Sequence, residues 1–293
     1  LRGKILKPVG FLRQAAILGA MTLALGACTT ARDLAPTAAP SALPAYTSPK
    51  YAAIVVDGGN GKVLYEQSSD AIRHPASLTK MMTLYMLFEA MQSGRVSRTT
   101  EIPVSDYARS RPPTKIGFKR GETVDVDTAI KALVTKSAND VAVAIAEYLG
   151  GTEDSFAASM TAKARSIGMR STVFRNASGL PDDGQVTTAR DMALLGMALR
   201  RNFPQYFPYF STQSFTYKGR TIKGHNDLIG GVYGVDGIKT GYIRASGYNV
   251  VTSVTRGSRK LVAVVMGGES ARARNANVAA LIDRYMPSDV AGF

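Results

Sequence analysis

His74-Pro75-Ala76-Ser77-Leu78-Thr79-Lys80-Met81-Met82 opens a long apolar run through Leu84, Leu87 and Phe88. Pro75 suits the first turn of a helix, where it has no N–H to lose. On a helix, positions i and i+3 share a face, so Lys80 is expected beside the Ser77 hydroxyl. A serine hydroxyl is a weak nucleophile without an adjacent base, and a lysine serves as that base only when neutral. Burial or a second cation lowers a lysine pKa. The first N–H groups of a helix lack intrahelical acceptors, so the Ser77 amide is expected to face the oxygen of an attacked carbonyl.

Two further strings complete this chemistry. Ser137-Ala138-Asn139 falls between two helical patterns, and in an extended loop residues i and i+2 point the same way. Ser137 then faces a cleft as a proton relay to a leaving amine, and Asn139 as a group that binds a substrate amide and steadies Lys80. Taken alone, the pair reads as a helix cap ahead of Asp140-Val141-Ala142. Lys239-Thr240-Gly241 lies in a strand pattern. Lys239 is the second cation and, with Thr240, offers a charge and a hydroxyl to a carboxylate. Gly241 lets something come close, such as a substrate backbone laid along the strand edge. The Tyr242 N–H is the candidate second donor to the oxyanion. A substrate ending in a free carboxylate is implied.

The remaining pattern supplies a scaffold. Tyr51 to Glu66 reads as strand, glycine-rich turn and strand around Asp57-Gly58-Gly59-Asn60-Gly61. Apolar spacing of three and four predicts helices over about 127–135, 139–149, 152–168 and 187–201, with Gly150-Gly151 and Gly168 as stops. Strands follow at 214–217, 221–223, 237–242, 248–255 and 261–266, and a last amphipathic helix over about 271–285. Strands at both chain ends with helices between them predict one antiparallel sheet whose terminal strands meet, with helices packed on it.

The chain has 293 residues, 45% of them hydrophobic, which suits one globular domain and excludes disordered and collagen-like classes. No fixed-period repeat points to a solenoid. The formal net charge is +14; four of the basic residues, Arg2, Lys4, Lys7 and Arg13, fall in a leader, which leaves +10 for the remainder. No zinc-finger, helix-turn-helix or aromatic RNA-binding signal accompanies that charge, so it reads as a solvated basic surface or an attraction to an acidic wall polymer, with no nucleic acid as partner. One cysteine and two histidines give no disulfide and no zinc pattern, so neither a metal nor a cofactor is expected.

Residues 1–28 read as a secretory leader, basic and then apolar, with an apolar stretch shorter than the roughly 20 residues that cross a bilayer. Its end, Leu25-Gly26-Ala27-Cys28, resembles the lipobox of bacterial lipoproteins, in which the cysteine is acylated and becomes the new N-terminus. Two or more acyl chains would hold the protein on a membrane, since each buried methylene contributes about 0.8 kcal/mol. Residues 29–50, rich in Ala, Pro, Ser and Thr, read as a linker that spans about 60 Å when extended near 3.1 Å per residue. Residues 51–287 then form the catalytic domain and 288–293 a tail.

The three strings in this order resemble the motif set of serine beta-lactamases and penicillin-binding proteins. Together with Asn176-Ala177-Ser178-Gly179-Leu180-Pro181, Gly237-Ile238-Lys239-Thr240-Gly241-Tyr242 and Gly247-Tyr248-Asn249, the region from Tyr51 to Tyr285 resembles the low-molecular-mass penicillin-binding D-alanyl-D-alanine carboxypeptidases. The resemblance implies an α+β fold of the DD-peptidase/beta-lactamase type: a five-stranded antiparallel sheet flanked by helices, with a mostly helical subregion. It implies an exported cell-envelope enzyme, periplasmic or on an outer membrane face. Such an enzyme trims the terminal D-alanine from peptidoglycan stem pentapeptides and is acylated by beta-lactams. By matching motifs, Ser77 is the nucleophile, Lys80 the base, Ser137 and Asn139 partners in proton transfer and substrate binding, and Lys239, Thr240 and Gly241 the recognition strand. An arginine of the last helix assists, with Arg274 the match and Arg272 the alternative.

Two departures stand out. Ala138 occupies a position where glycine is common in these enzymes, which adds one methyl. The sequence ends shortly after the last helix, where many relatives carry a beta-rich domain and an amphipathic anchor, so a lipid at Cys28 would replace that anchor. A DD-endopeptidase would use the same residues. A class A beta-lactamase needs a glutamate followed four residues on by asparagine between the second and third strings, and neither Glu147 nor Glu153 has one. A tethered module that is acylated without turnover is opposed by the complete set of catalytic positions.

Overall fold

The computed structural model describes residues 48–287. The readings for the leader 1–28 with Cys28, for most of the linker 29–50 and for the tail 288–293 lie outside the described residues.

Strands β1 (Ala52–Asp57) and β2 (Val63–Gln67) form the expected hairpin. A short 3-10 turn over Ala76–Thr79 leads into α1 (Lys80–Gln92). The helical subregion follows. It holds a small hairpin of β3 (Glu101–Pro103) and β4 (Thr123–Asp125) around α2 (Asp106–Ser110), then α3 (Val126–Val134), α4 (Asn139–Gly150), α5 (Glu153–Ser166) and α6 (Ala189–Asn202). A second hairpin, β5 (Ser214–Tyr217) and β6 (Arg220–Lys223), precedes β7 (Val235–Ile243), β8 (Gly247–Arg256), β9 (Arg259–Gly268) and α7 (Ala271–Tyr285). The main sheet has five strands in the order β2-β1-β9-β8-β7, every pair antiparallel. The first and last long strands meet, as the pattern at the chain ends predicts.

Period-two alternation explains why the sheet is the middle of three layers. In β1, Ile54 and Val56 face the core shared with α1, α4 and α6, whereas Ala53 and Val55 face a second core closed by Val278, Leu281 and Ile282 of α7. β9 divides the same way, with Val262 and Val264 on one side and Ala263 and Val265 on the other. Both faces being covered, these strands read as unbroken apolar runs. α1 has ten of its thirteen residues buried, which is why its sequence is apolar on all sides.

Helix starts follow side-chain caps. Thr152, Thr188 and Ser270 each accept a hydrogen bond from the backbone N–H three residues on, so the helices predicted from 152 and 187 begin one or two residues later, at Glu153 and Ala189. The pattern did not predict β3, β4, α2 or the 3-10 turn over Phe207–Ser211. Three to five residues are too few to establish a period.

This architecture leaves β7 at the edge of the sheet, against the turn that carries Ser77. A methyl group on Gly241 would stand 3.0 Å from the Ser77 nitrogen and 3.2 Å from the Pro75 oxygen. The strand therefore needs glycine to pass the start of α1. That revises the reading of Gly241, because the close neighbour is the protein's own backbone and not only a substrate's.

Candidate active site

A cleft of about 460 Å³ opens between the α1 start, the α3–α4 junction and β7. Ser77, Ser137, Asn139, Lys239, Thr240, Gly241, Tyr242 and Arg274 all line it, and Lys80 lies fully buried beneath Ser77. Arg272, the alternative on α7, lies on a different surface.

Ser77 sits in the 3-10 turn just before α1, not in the α-helix itself. The i, i+3 placement survives because the turn runs straight into α1. Lys80 Nζ stands 3.2 Å from Ser77 Oγ, 2.7 Å from Asn139 Oδ1 and 2.5 Å from the Ser178 carbonyl oxygen. A neutral amine has two N–H donors and one lone pair. Asn139 and Ser178 accept the two N–H bonds, which leaves the lone pair for the Ser77 hydroxyl proton. Burial, and after it the charge of Lys239, push Lys80 well below the usual lysine range, while Asp140 and Glu153 pull the other way.

The loop 176–181 is the part of the site to which the sequence assigned no role. Asn176 Oδ1 accepts from the Gly179 amide at 2.7 Å and from the Ser178 amide at 3.2 Å, which folds the loop back on itself. Thr83 Oγ1 donates to the Ala177 carbonyl at 2.7 Å, and Glu153 accepts from the Ala177 amide at 3.0 Å. The Ser178 carbonyl is thereby aimed at Lys80. Gly179 has φ +82°, and a methyl there would stand 1.9 Å from the Ala76 carbonyl oxygen. The signal was present as an Asn-x-Ser-Gly turn, but the working atom is a backbone oxygen that any residue carries.

Ser137 and Asn139 do not lie in an extended loop. Ser137 has φ +59°, Ala138 is the residue ahead of α4 with no side-chain cap, and Asn139 is the first residue of the helix. Asn139 is thus not a cap: its Oδ1 accepts from Lys80 and its Nδ2 donates to the Pro112 carbonyl at 3.0 Å. Both side chains still reach the cleft, because a left-handed residue followed by a helix start turns them to one side. Ser137 Oγ is buried with no hydrogen-bond partner among the described residues. Of four non-glycine residues at positive φ in the described region, Ser137 lines this cleft and Ala76 directly precedes Ser77. Backbone strain of this kind persists only where the surroundings enforce it.

The far wall is cationic. Lys239 is 2% exposed and Arg274 3%. Lys239 donates to the Thr240 carbonyl at 2.9 Å. Burial, with the nearby Arg274 charge, brings its amine down to about 7. Arg274 is itself lowered to about 10 by burial, against the opposing charges of Asp227 and Tyr248. Asn249 ties this wall to the nucleophile: its side chain donates to the His74 and Pro75 carbonyls, and its backbone oxygen accepts from Arg274 at 2.9 Å. Two buried cations, neither of them in an ion pair among the described residues, can receive a carboxylate here.

Fold and cleft together define a class of protein: a three-layer α+β domain with a serine–lysine pair at a helix start and a cationic edge strand across from it. The particular family follows from its relatives. The family model described as D-alanyl-D-alanine carboxypeptidase matches residues 38–270, and the chain belongs to that family. It is 38% identical over 230 residues to the D-alanyl-D-alanine carboxypeptidase DacA of Escherichia coli, covering 76% of this chain and 57% of that protein. The chain thus spans little more than half of that relative's length. Among solved structures, penicillin binding protein 5 from Haemophilus influenzae superposes with a TM-score of 0.78 at 29% identity, over 82% of this chain and 71% of that one. The cefotaxime-bound Penicillin-Binding Protein D2 from Listeria monocytogenes superposes with a TM-score of 0.72 at 32% identity, over 79% of this chain and 95% of that one.

Proposed function

We propose that the chain is a serine D-alanyl-D-alanine carboxypeptidase that trims the terminal D-alanine from peptidoglycan stem pentapeptides, with residues 51–287 as its catalytic domain. The observation that carries this reading is the contact of 3.2 Å between Lys80 Nζ and Ser77 Oγ, with both other Lys80 partners fixed acceptors.

Lys239, Thr240 and Arg274 hold the substrate's terminal carboxylate, which sets the D-alanyl carbonyl over Ser77. Neutral Lys80 takes the Ser77 proton as Oγ attacks that carbonyl. The negative oxygen is received by the N–H groups of Ser77 and Tyr242; one such donor typically contributes about 2.7 to 4 kcal/mol to the transition state. Ser137 relays the proton from Lys80 to the leaving D-alanine amine as the C–N bond breaks, which leaves Lys80 neutral again. Water, deprotonated by Lys80, then cleaves the acyl-Ser77 ester and restores the hydroxyl.

Beta-lactams enter the same route and stop at the acyl-enzyme. The cefotaxime-bound relative supports this. Fast release of the adduct needs an additional base, and neither glutamate between the second and third strings lines the cleft: Glu153 accepts from Ala177 and Tyr107, and Glu147 from Ser105. The sequence Leu25-Gly26-Ala27-Cys28 supports export and lipid anchoring at Cys28 in the cell envelope.

Mass spectrometry tests the reading. A stem pentapeptide is expected to release free D-alanine, and penicillin to leave a lasting adduct on Ser77. Rapid loss of that adduct would make the protein a beta-lactamase, and absence of D-alanine release would make it a binding module. Cys28→Ala is expected to move the protein to the soluble fraction; unchanged membrane association would contradict anchoring there.

A further inference from the structure

A second groove, of about 730 Å³, adjoins the cleft under the β5–β6 hairpin. The two share His225, and Lys115 and Lys136 of the groove directly follow and precede Thr114 and Ser137 of the cleft. Its charge is one-sided. Lys115, Lys119, Lys136, Arg220 and Lys223 line it with no ion pair among the described residues. Its one carboxylate, Glu122, is already taken by Lys218 at 2.7 Å.

The position of the groove tells which end of a substrate it meets. His225 lies next to both Lys239 and Lys136, whose charges, after burial, depress its pKa. The reacting carbonyl sits over Ser77, and the leaving residue carries the carboxylate that Lys239 and Thr240 hold. Space beyond Lys239 therefore faces the leaving group, not the acyl half. A leaving D-alanine fills only the cleft and would leave those five cations of the groove unmatched.

We propose that this groove is a subsite for an extended anionic leaving group: a peptide whose D-configured residue supplies the leaving amine and whose further carboxylates lie along Lys136, Arg220 and Lys223. The proposal rests on the carboxypeptidase reading and widens its substrate class from a terminal D-alanine to D-alanyl bonds that join two acidic peptides. The chemistry is unchanged: the same C–N bond breaks and the proton goes to the larger amine.

Three synthetic substrates with one acyl half test it. The first ends in D-alanyl-D-alanine, the second carries a leaving peptide with two additional carboxylates, and the third has those carboxylates as amides. Exposed ion pairs each contribute a factor of a few, so kcat/KM for the second is expected to exceed the third by about tenfold at low salt. High salt should erase that ratio by screening. The Arg220→Ser/Lys223→Ser variant is expected to lose the ratio while cleaving the first substrate at the native rate. Equal rates on the second and third substrates, with the first cleaved normally, would overturn the groove alone. Failure on the first substrate would overturn the carboxypeptidase reading, and titration of the free leaving peptide against its amide form then decides the groove. Equal binding of the two forms refutes it. Adsorption to anionic phospholipid vesicles that is lost in the variant, with a substrate ratio of one, would assign the groove to a membrane surface and also refute it.

Discussion

The two faces of the sheet and the cleft at its edge are built on opposite principles. Around β1 and β9 every inward side chain is apolar, and each finds apolar neighbours from α1, α4, α6 or α7. At β7 the same sheet buries Lys239 against Arg274, and across from them Lys80 is 0% exposed. The first region lowers the free energy of the fold, at roughly 25 cal/mol per Å² of apolar surface removed from water. The second raises it, because buried cations lose hydration that one another cannot replace. The proposed chemistry makes use of that cost: a lysine that resists its proton can act as a base, and a buried cation outside any ion pair can receive a carboxylate.

Substitutions on the two sides should therefore separate activity from stability. Ser77→Ala or Lys80→Ala is expected to lower D-alanine release by roughly 10³-fold or more, and Ser77→Ala to do so with the urea midpoint unchanged or raised. A loss of stability in Ser77→Ala comparable to that of a core truncation would break the contrast. Phe88→Ala, which removes a ring packed against Phe203, Tyr206 and Phe210, is expected to cost about 3 to 5 kcal/mol in urea unfolding and to leave the kcat of the folded fraction near native. Lys239→Met should do the reverse. KM for a substrate with a free carboxylate is expected to rise roughly ten- to hundredfold, as loss of a charged hydrogen bond dictates. Stability should stay level or increase, because an uncompensated cation leaves the interior.

The pH profile sharpens the contrast further. Burial, with the Arg274 charge, brings the Lys239 amine down to about 7, and in the proposed role it must be charged to hold a carboxylate. kcat/KM is thus expected to fall as pH rises through that value, while Lys80, neutral to far lower pH than an ordinary lysine, limits the acid side. Lys239→Arg should carry the alkaline limb upward, since a guanidinium keeps its proton. An alkaline limb that stays in place in that variant would remove Lys239 as its cause.

Much of this was legible in the residues. The Ser77–Lys80 spacing forces contact on any helical turn, so their pairing needed no tertiary information. The terminal strands announced their partnership because both are short apolar runs bounded by turns, and α4, α5 and α6 through amphipathic spacing. Other features had no local signal. The Ser178 carbonyl is a backbone atom, and its aim depends on Asn176 and Thr83, far apart in sequence. The left-handed φ of Ala76 and Ser137 is imposed by packing against the spectrum of residues that ordinarily adopt it. Gly241 was read as making room for a substrate because nothing local shows that the Ser77 turn passes there. The burial of Arg274 beside Lys239 depends on how α7 returns across β8.

Lysine side-chain carbon NMR of the unliganded protein, with Lys80→Arg to assign the signal, tests the central claim most directly. The account predicts that the Lys80 amine loses its proton far below the usual lysine range, and that its titration moves upward in Lys239→Met. A Lys80 signal that titrates near the ordinary lysine value of 10.5 would contradict it.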